Sequence, residues 1–212
     1  MRVPLNQPDL GSKEREYVLD ALASGWVTTG PYCERLEEGF KKLTGRAYAV
    51  ACSSGTAALW LALQALRLPQ DKRVLTMSYT CDAVGNAAIN VTGLPPRLVD
   101  VEAETWAMDE ALLKAALDEH SDIGAVTFNH TYGVMARDTA RIVGLCRERG
   151  IPVIEDASEA HGAFLIANGR GPAGGYGDVA VFSCRGEKNV SGGQLGVLVT
   201  DDAALARRAR QY

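Results

Sequence analysis

From residue 45 onward the chain repeats one pattern: a short run of β-branched and apolar residues, then a longer stretch with apolar residues at helical spacing. The runs fall at 47–51, 73–77, 97–101, 125–128, 153–155, 179–183 and 195–200, which predicts seven strands. Between them lie Leu59, Leu63 and Leu66, then Leu112, Leu113, Ala116 and Leu117, then Ile142, Leu145 and Cys146, each set at the spacing of one helix face. Strands alternating with helices predict an α/β domain on a mostly parallel sheet. The run Val179-Ala180-Val181-Phe182 is apolar at odd and even positions alike, as a strand covered on both faces requires. The last two runs leave no room for a crossover helix, so at least one strand should be antiparallel. Ahead of residue 45, helices are predicted over 13–23 and 32–43, joined by the Gly-bounded, aromatic loop Gly25-Trp26-Val27-Thr28-Thr29-Gly30-Pro31. No internal repeat and no interdomain linker is visible. Residues 201–212 start a further helix, and the expectation is of a chain cut short or of a remainder encoded separately.

Composition narrows the class. With 47% hydrophobic residues, 23% charged, 22 Gly and 8 Pro in 212 residues, collagen-like, low-complexity and disordered chains are excluded. The balance of 22 basic and 26 acidic residues gives −4 and forms no basic stripe, so nucleic acid is not an expected partner. No apolar run is long enough for a membrane span, and Asn6, Gln7 and Asp9 stand where a signal peptide would be apolar, so the expected location is the cytoplasm. The five cysteines (Cys33, Cys52, Cys81, Cys146 and Cys184) suggest neither a disulfide framework nor a metal site. Cys52, Cys146 and Cys184 sit in apolar runs and read as small core residues.

Three segments at strand ends could carry chemistry. Ser53-Ser54-Gly55-Thr56 leaves a strand and enters a helix, where backbone N–H groups and hydroxyls make an anion site, although a serine there can also simply cap the helix. Glu155-Asp156-Ala157-Ser158-Glu159-Ala160-His161 follows an apolar strand, where an ionised carboxylate needs a cation. Asp156 could face a protonated heterocycle, or it could be a helix N-cap with Glu159 completing a capping box. His161 reads as a hydrogen-bonded structural histidine, since no second ligand stands at metal spacing. Lys188, in a Gly-rich stretch after another buried strand, could present a nucleophilic amine, although most loop lysines are solvated. An anion turn, a carboxylate and a lysine at neighbouring strand ends match the phosphate, ring nitrogen and aldehyde of pyridoxal phosphate.

Several ordered motifs resemble the DegT/DnrJ/EryC1/StrS aminotransferases. They are the 25–31 loop, Ser53-Ser54-Gly55-Thr56-Ala57-Ala58-Leu59, His130-Thr131-Tyr132-Gly133, Glu155-Asp156-Ala157 with Ala160-His161-Gly162-Ala163, and Phe182-Ser183 with Lys188-Asn189. The resemblance reaches from Val3 to Arg210 and implies the large domain of a fold type I pyridoxal phosphate enzyme, a mostly parallel seven-stranded sheet between helices, without the C-terminal small domain. Residues 1–44 would be an N-terminal helical segment with a substrate-side loop, and 45–212 the cofactor domain. The resemblance implies transfer of an amino group from glutamate or glutamine to a keto sugar, mostly nucleotide-linked, in amino-sugar synthesis for a surface polysaccharide or a secondary metabolite. A cyclitol ketone is a second acceptor class, and a homodimer the expected assembly. It also implies that Lys188 binds the cofactor's aldehyde and shuttles a proton, that Asp156 keeps the ring nitrogen protonated, and that Gly55, Thr56 and Ser183 bind the phosphate. Trp26 and Thr29 would approach the substrate side, with His130 and Tyr132 lining the cleft and His161 a further substrate-side candidate.

The chain departs from the family pattern at three places. Cys81 stands where an aromatic residue usually stacks on the cofactor ring, with Tyr79 nearby. Glu159 replaces a common Gln near the cofactor's phenolic oxygen, where an anion is repelled unless a proton is shared. The loop after the lysine reads Ser191-Gly192-Gly193-Gln194-Leu195-Gly196 and has lost an acid. The related sugar dehydratases carry His in place of the lysine, so Lys188 favours transamination. The competing expectation from another class is a truncated, catalytically silent protein that binds cofactor or a full-length partner. A nicotinamide dehydrogenase is disfavoured because no Gly-x-Gly-x-x-Gly follows the first strand.

Overall fold

The computed structural model describes residues 10–166 and 170–212. The polar stretch at Asn6, Gln7 and Asp9, and the start of the resemblance at Val3, lie outside the described residues.

All seven predicted strands form, in one sheet. In chain order they are β1 (Tyr48–Cys52), β2 (Arg73–Met77), β3 (Arg97–Val99), β4 (Ile123–Asn129), β5 (Val153–Asp156), β8 (Val179–Ser183) and β9 (Gly196–Thr200). Two-residue strands β6 (Phe164–Leu165) and β7 (Gly171–Pro172) pair separately as a small antiparallel hairpin, too short to leave an alternating pattern in the sequence. The spatial order is β1-β9-β8-β5-β4-β2-β3. β3, β2, β4, β5 and β8 pair in parallel, while β9 runs antiparallel to both β8 and β1. The reversed strand follows from the 184–195 loop, which contains no helix and cannot make a crossover.

Period-two alternation divides each strand between two buried faces. Val50, Val74, Ile154, Val181 and Leu198 join one core with helices α3 (Gly55–Leu66), α4 (Asp82–Thr92) and α7 (Ala203–Ala209). Their neighbours Leu75 and Val153 face the other side, under α5 (Glu110–Glu119) and α6 (Thr139–Glu148). Ala49, Ala180, Phe182 and Val199 continue that second face beneath Phe40 of α2 (Pro31–Thr44). The result is three layers, helices on both sides of the sheet. The adjacent strands β9, β8 and β5 are buried along their whole length.

α3 is apolar nearly all round, burying Ala58, Leu59, Leu61, Ala62, Leu63 and Ala65, so it lies centrally against the sheet. The N-terminal helix α1 (Ser12–Ser24) is its opposite and buries no residue. It is tied to α2 by Tyr32 Oη, which donates to Asp20 Oδ2 at 2.7 Å, and by the Arg35 guanidinium, 4.7 Å from the Tyr17 ring centre. No described helix is long and apolar enough to cross a membrane.

Candidate active site

In an open α/β sheet, ligands bind beyond the carboxyl ends of the parallel strands. Those ends of β2, β4, β5 and β8, with the turn leaving β1, here surround a cavity of about 460 Å³. Gly55, Thr56, Cys81, His130, Tyr132, Asp156, Glu159, Ser183 and Lys188, which lie up to 133 residues apart in the chain, all line it.

At one end stands the first turn of α3. Ser54 is its N-cap, and Ser54 Oγ accepts from the Ala57 N–H at 3.1 Å, so the capping role is real. It does not displace the anion-site role, because a first turn has more N–H groups than one cap can satisfy. Gly55 is required by close approach: a Cβ there would lie 2.6 Å from the Ser183 Cβ. Gly196 is required likewise, since a Cβ would run into the Ser54 carbonyl. These two glycines let the anion turn sit against Ser183 and β9.

Asp156 ends β5, is 6% exposed, and accepts the Ser158 N–H at 3.0 Å. No helix follows; residues 157–163 are successive turns closed by Ala160 N–H to Ala157 O and Ala163 N–H to Ala160 O. The capping-box alternative is therefore overturned, and the Ser158 bond is the local turn that Asp side chains favour outside helices. Burial pushes the Asp156 carboxyl above its ordinary range, against hydrogen bonds from Ser158 and the attraction of His130 and Lys188. A buried acid so placed is stabilised as an anion by a cationic ring N–H in the cavity.

Lys188 sits in a turn whose N–H bonds Arg185 O at 2.9 Å. Its Nζ donates to Glu159 Oε1 at 2.8 Å, and Glu159 Oε2 accepts from the Tyr132 N–H at 2.9 Å. Burial pushes the Glu159 carboxyl up, but the bonds from Lys188 and Tyr132 outweigh it and hold the group below its ordinary range. The anion at 159 is thus balanced by the lysine.

Below this wall lies a residue whose part the sequence did not disclose. Glu155 is fully buried and accepts from His130 Nε2 at 2.8 Å and from the N–H groups of Gly174 (2.6 Å), Tyr176 (2.9 Å) and Gly177 (3.1 Å). Burial raises its carboxyl, yet these bonds win and the group is held low. An acid inside an apolar strand was the available signal; its backbone partners at 174–177 were not readable. His130 forms part of the cavity wall and is held there by Glu155, while its Nδ1 is buried without a partner among the described residues. Asn129, Ser158, Arg185 and Gln194 also line the cavity and were not singled out by the sequence.

Three expected substrate-side residues lie elsewhere. Trp26 and Thr29 line a separate groove of about 270 Å³ with Val18, Leu22 and Tyr32. Gly25 closes α1 at φ 74° and Gly30 opens α2 at φ 113°, so the short loop folds Trp26 back against Gly30, where a Cβ would meet the indole at 3.1 Å. His161 is packed behind the cavity, between Phe40 (6.0 Å between ring centres) and Phe182 (5.3 Å). Burial, with the Lys188 charge, lowers its pKa to about 4, so it is a neutral structural imidazole. Cys81 does reach the cavity, as the exposed N-cap of α4. Cys52, Cys146 and Cys184 have thiols pushed up by burial to about 11, about 12 and about 11, as unreactive core groups should be.

A curated GDP-perosamine synthase of Escherichia coli O157:H7 is 35% identical over 211 residues, covering 99% of this chain and 56% of the relative. Among solved structures, an aminotransferase from Psychrobacter cryohalolentis superposes with a TM-score of 0.89 at 28% identity, covering 99% of this chain and 52% of its own. DesI, solved in the presence of its TDP-sugar product, gives 0.84 at 32% identity, covering 97% and 50%. The chain thus spans about half the length of the relatives it matches. The model of the DegT/DnrJ/EryC1/StrS aminotransferase family matches residues 8–212, and the chain belongs to that family, whose cofactor is pyridoxal phosphate.

Proposed function

We propose that this chain is the cofactor-holding part of an aminotransferase of amino-sugar synthesis, which moves an amino group from glutamate or glutamine to the ketone of a nucleotide-linked sugar. The observation that carries the reading is the arrangement around one cavity of the α3 N-terminus, the buried Asp156 and the Lys188 amine. Each fits one part of pyridoxal phosphate. When bound, the cofactor supplies an aldehyde and a ring that takes up electrons as an amino acid loses its α-proton.

Gly55, Thr56 and Ser183 bind the phosphate, with the first-turn N–H groups of α3 and its dipole favouring the anion. Asp156 keeps a proton on the ring nitrogen, and its burial makes that pairing strong. Lys188 would hold the cofactor at its aldehyde, and its amine is the group placed to move a proton at the reacting carbon. Glu155 fixes His130 and the 174–177 turn behind Asp156, so the wall is rigid before any ligand enters. Cys81 and Tyr79 stand at the cavity edge where a ring can be covered.

A cytoplasmic homodimer is the assembly and location this reading carries. α1 supports the dimer, because it exposes Val18, Leu19 and Leu22, which no described residue covers. A cyclitol ketone is the second acceptor class. Because the chain spans about half the length of its relatives, a second reading is kept: a catalytically silent protein that holds cofactor or a full-length partner.

The test is the absorbance of the purified chain with added pyridoxal phosphate, beside Lys188→Ala. The expected result is a visible protein-bound cofactor band that requires Lys188 and bleaches on addition of glutamate. A band that ignores glutamate selects the silent reading, and no Lys188-dependent band overturns the cofactor assignment itself.

A further inference from the structure

The Lys188 amine is not free in the cavity. It is bonded to Glu159, whose second oxygen is fixed by the Tyr132 N–H. Tyr132 holds that N–H in place from a left-handed backbone position (φ 53°, ψ 25°), a strain that non-glycine residues accept where the surroundings impose it. The pair is half-withdrawn from water, with side-chain exposures of 19% for Lys188 and 32% for Glu159. The carboxylate therefore has two anchors of different kind: a neutral backbone donor that stays, and an ammonium that has to leave.

We propose that Glu159 is the charge partner that parks the Lys188 amine in the cofactor-free site, so that loading an aldehyde requires this ion pair to open first. The inference rests on Lys188 being the reactive amine. To attack, the ammonium must give one proton to solvent and leave Glu159. The freed lone pair then forms the N–C bond at the aldehyde carbon, and the aldehyde oxygen departs as water. The carboxylate at 2.8 Å holds the amine by charge and a hydrogen bond, and that contact has to break before the nitrogen can reach an aldehyde carbon. A neutral amide at 159 would keep a hydrogen bond but not the charge. Glu159, still held by Tyr132, remains at the position the amine vacates, so the parked state re-forms whenever the lysine is released.

The experiment needs no cofactor. Cofactor-free wild type, Glu159→Gln and Glu159→Asp are pulsed with acetic anhydride at several pH values, and acylation of Lys188 is read by peptide mass spectrometry. Lys41 is the internal reference, since it is also partly exposed (32%) and ion-paired, to Glu38 at 2.6 Å. At neutral pH the Gln variant should acylate Lys188 about two- to fivefold faster relative to Lys41, with Asp between, because the ion pair no longer holds the amine. Unfolding would accelerate both lysines and carry their ratio to that of wild type pulsed in denaturing urea, so that control separates it from a local effect at Lys188. Acylation of Lys188 in Glu159→Gln that is equal to or slower than wild type overturns the proposal. Adding pyridoxal phosphate keeps the two failures apart. A Lys188-dependent band with equal acylation removes the charge partner and leaves the aminotransferase reading, whereas faster acylation with no band does the reverse.

Discussion

Asp156 ends a strand in which all four residues are buried, whereas α1 buries none of its thirteen. The first region is held by the sheet on both edges, by cores on both faces and by the four bonds that Glu155 accepts. The second is held by a tyrosine bond to Asp20 and by Arg35 against two tyrosine rings. The difference assigns the two regions different work. A group that must hold a charge in a fixed place is carried by the sheet, while the loop that holds Trp26 lies exposed beside a helix that buries nothing.

The largest expected effect is at Glu155. Removing it takes the buried acceptor from His130 and from the N–H groups of Gly174 and Gly177, and truncating one side of a buried charged network costs about 3–5 kcal/mol. Urea unfolding of Glu155→Ala should show that loss. A change under about 1 kcal/mol would mean that water replaces the network and that the sheet side is not the rigid half of the site.

Its chain neighbour behaves in the opposite sense. The Glu155 carboxyl is held below its ordinary 4.5, so its contribution is present above that pH and is lost as the pH falls through the native value. The Asp156 carboxyl is held above its ordinary 3.8, so between that pH and its native value the folded state binds more protons than the unfolded one, and stability declines as the pH rises. Asp156→Asn should therefore leave the chain as stable as wild type at neutral pH, or more so, while removing the anion for a ring nitrogen. Unfolding curves at neutral and mildly acidic pH check the first part, and the visible cofactor band checks the second. A marked loss of stability at neutral pH would show that Asp156 is a structural acid like Glu155.

These residues mark how far the sequence could be read. The seven strands were legible because a strand buried on both faces is a run of apolar residues bounded by polar ones, and the reversed β9 because its connection is too short. That Asp156 and Lys188 would meet around one cavity was legible because residues following the carboxyl ends of neighbouring parallel strands converge in this architecture. The role of Glu155 was not, since its partners at 174–177 approach only through the folding of a turn. His161 carries the same residue type as His130, and only the sheet decides that one reaches the cavity while the other packs between Phe40 and Phe182. The place of Trp26 in a separate groove was hidden for a related reason: a short loop between two glycines at positive φ folds on itself, and a linear spacing does not record that.

The smallest expected effect is at Trp26. Its side chain is 60% exposed and lines a groove formed by α1, its own loop and the start of α2, outside the cores on the two sheet faces. Replacing it with Ala removes contacts that water already shares, so the isolated chain should lose no more than about 0.5 kcal/mol, seen as an almost unchanged urea midpoint. The visible band with pyridoxal phosphate should be unaltered, because the cavity wall does not include this residue. If the proposed dimer covers α1, the same substitution should weaken self-association in sedimentation runs at rising concentration, a change invisible to unfolding of the monomer. A loss above about 2 kcal/mol in the monomer would instead make the 25–31 loop part of the folded body, and the contrast between a sheet-held site and a loosely held N-terminus would fail at that point.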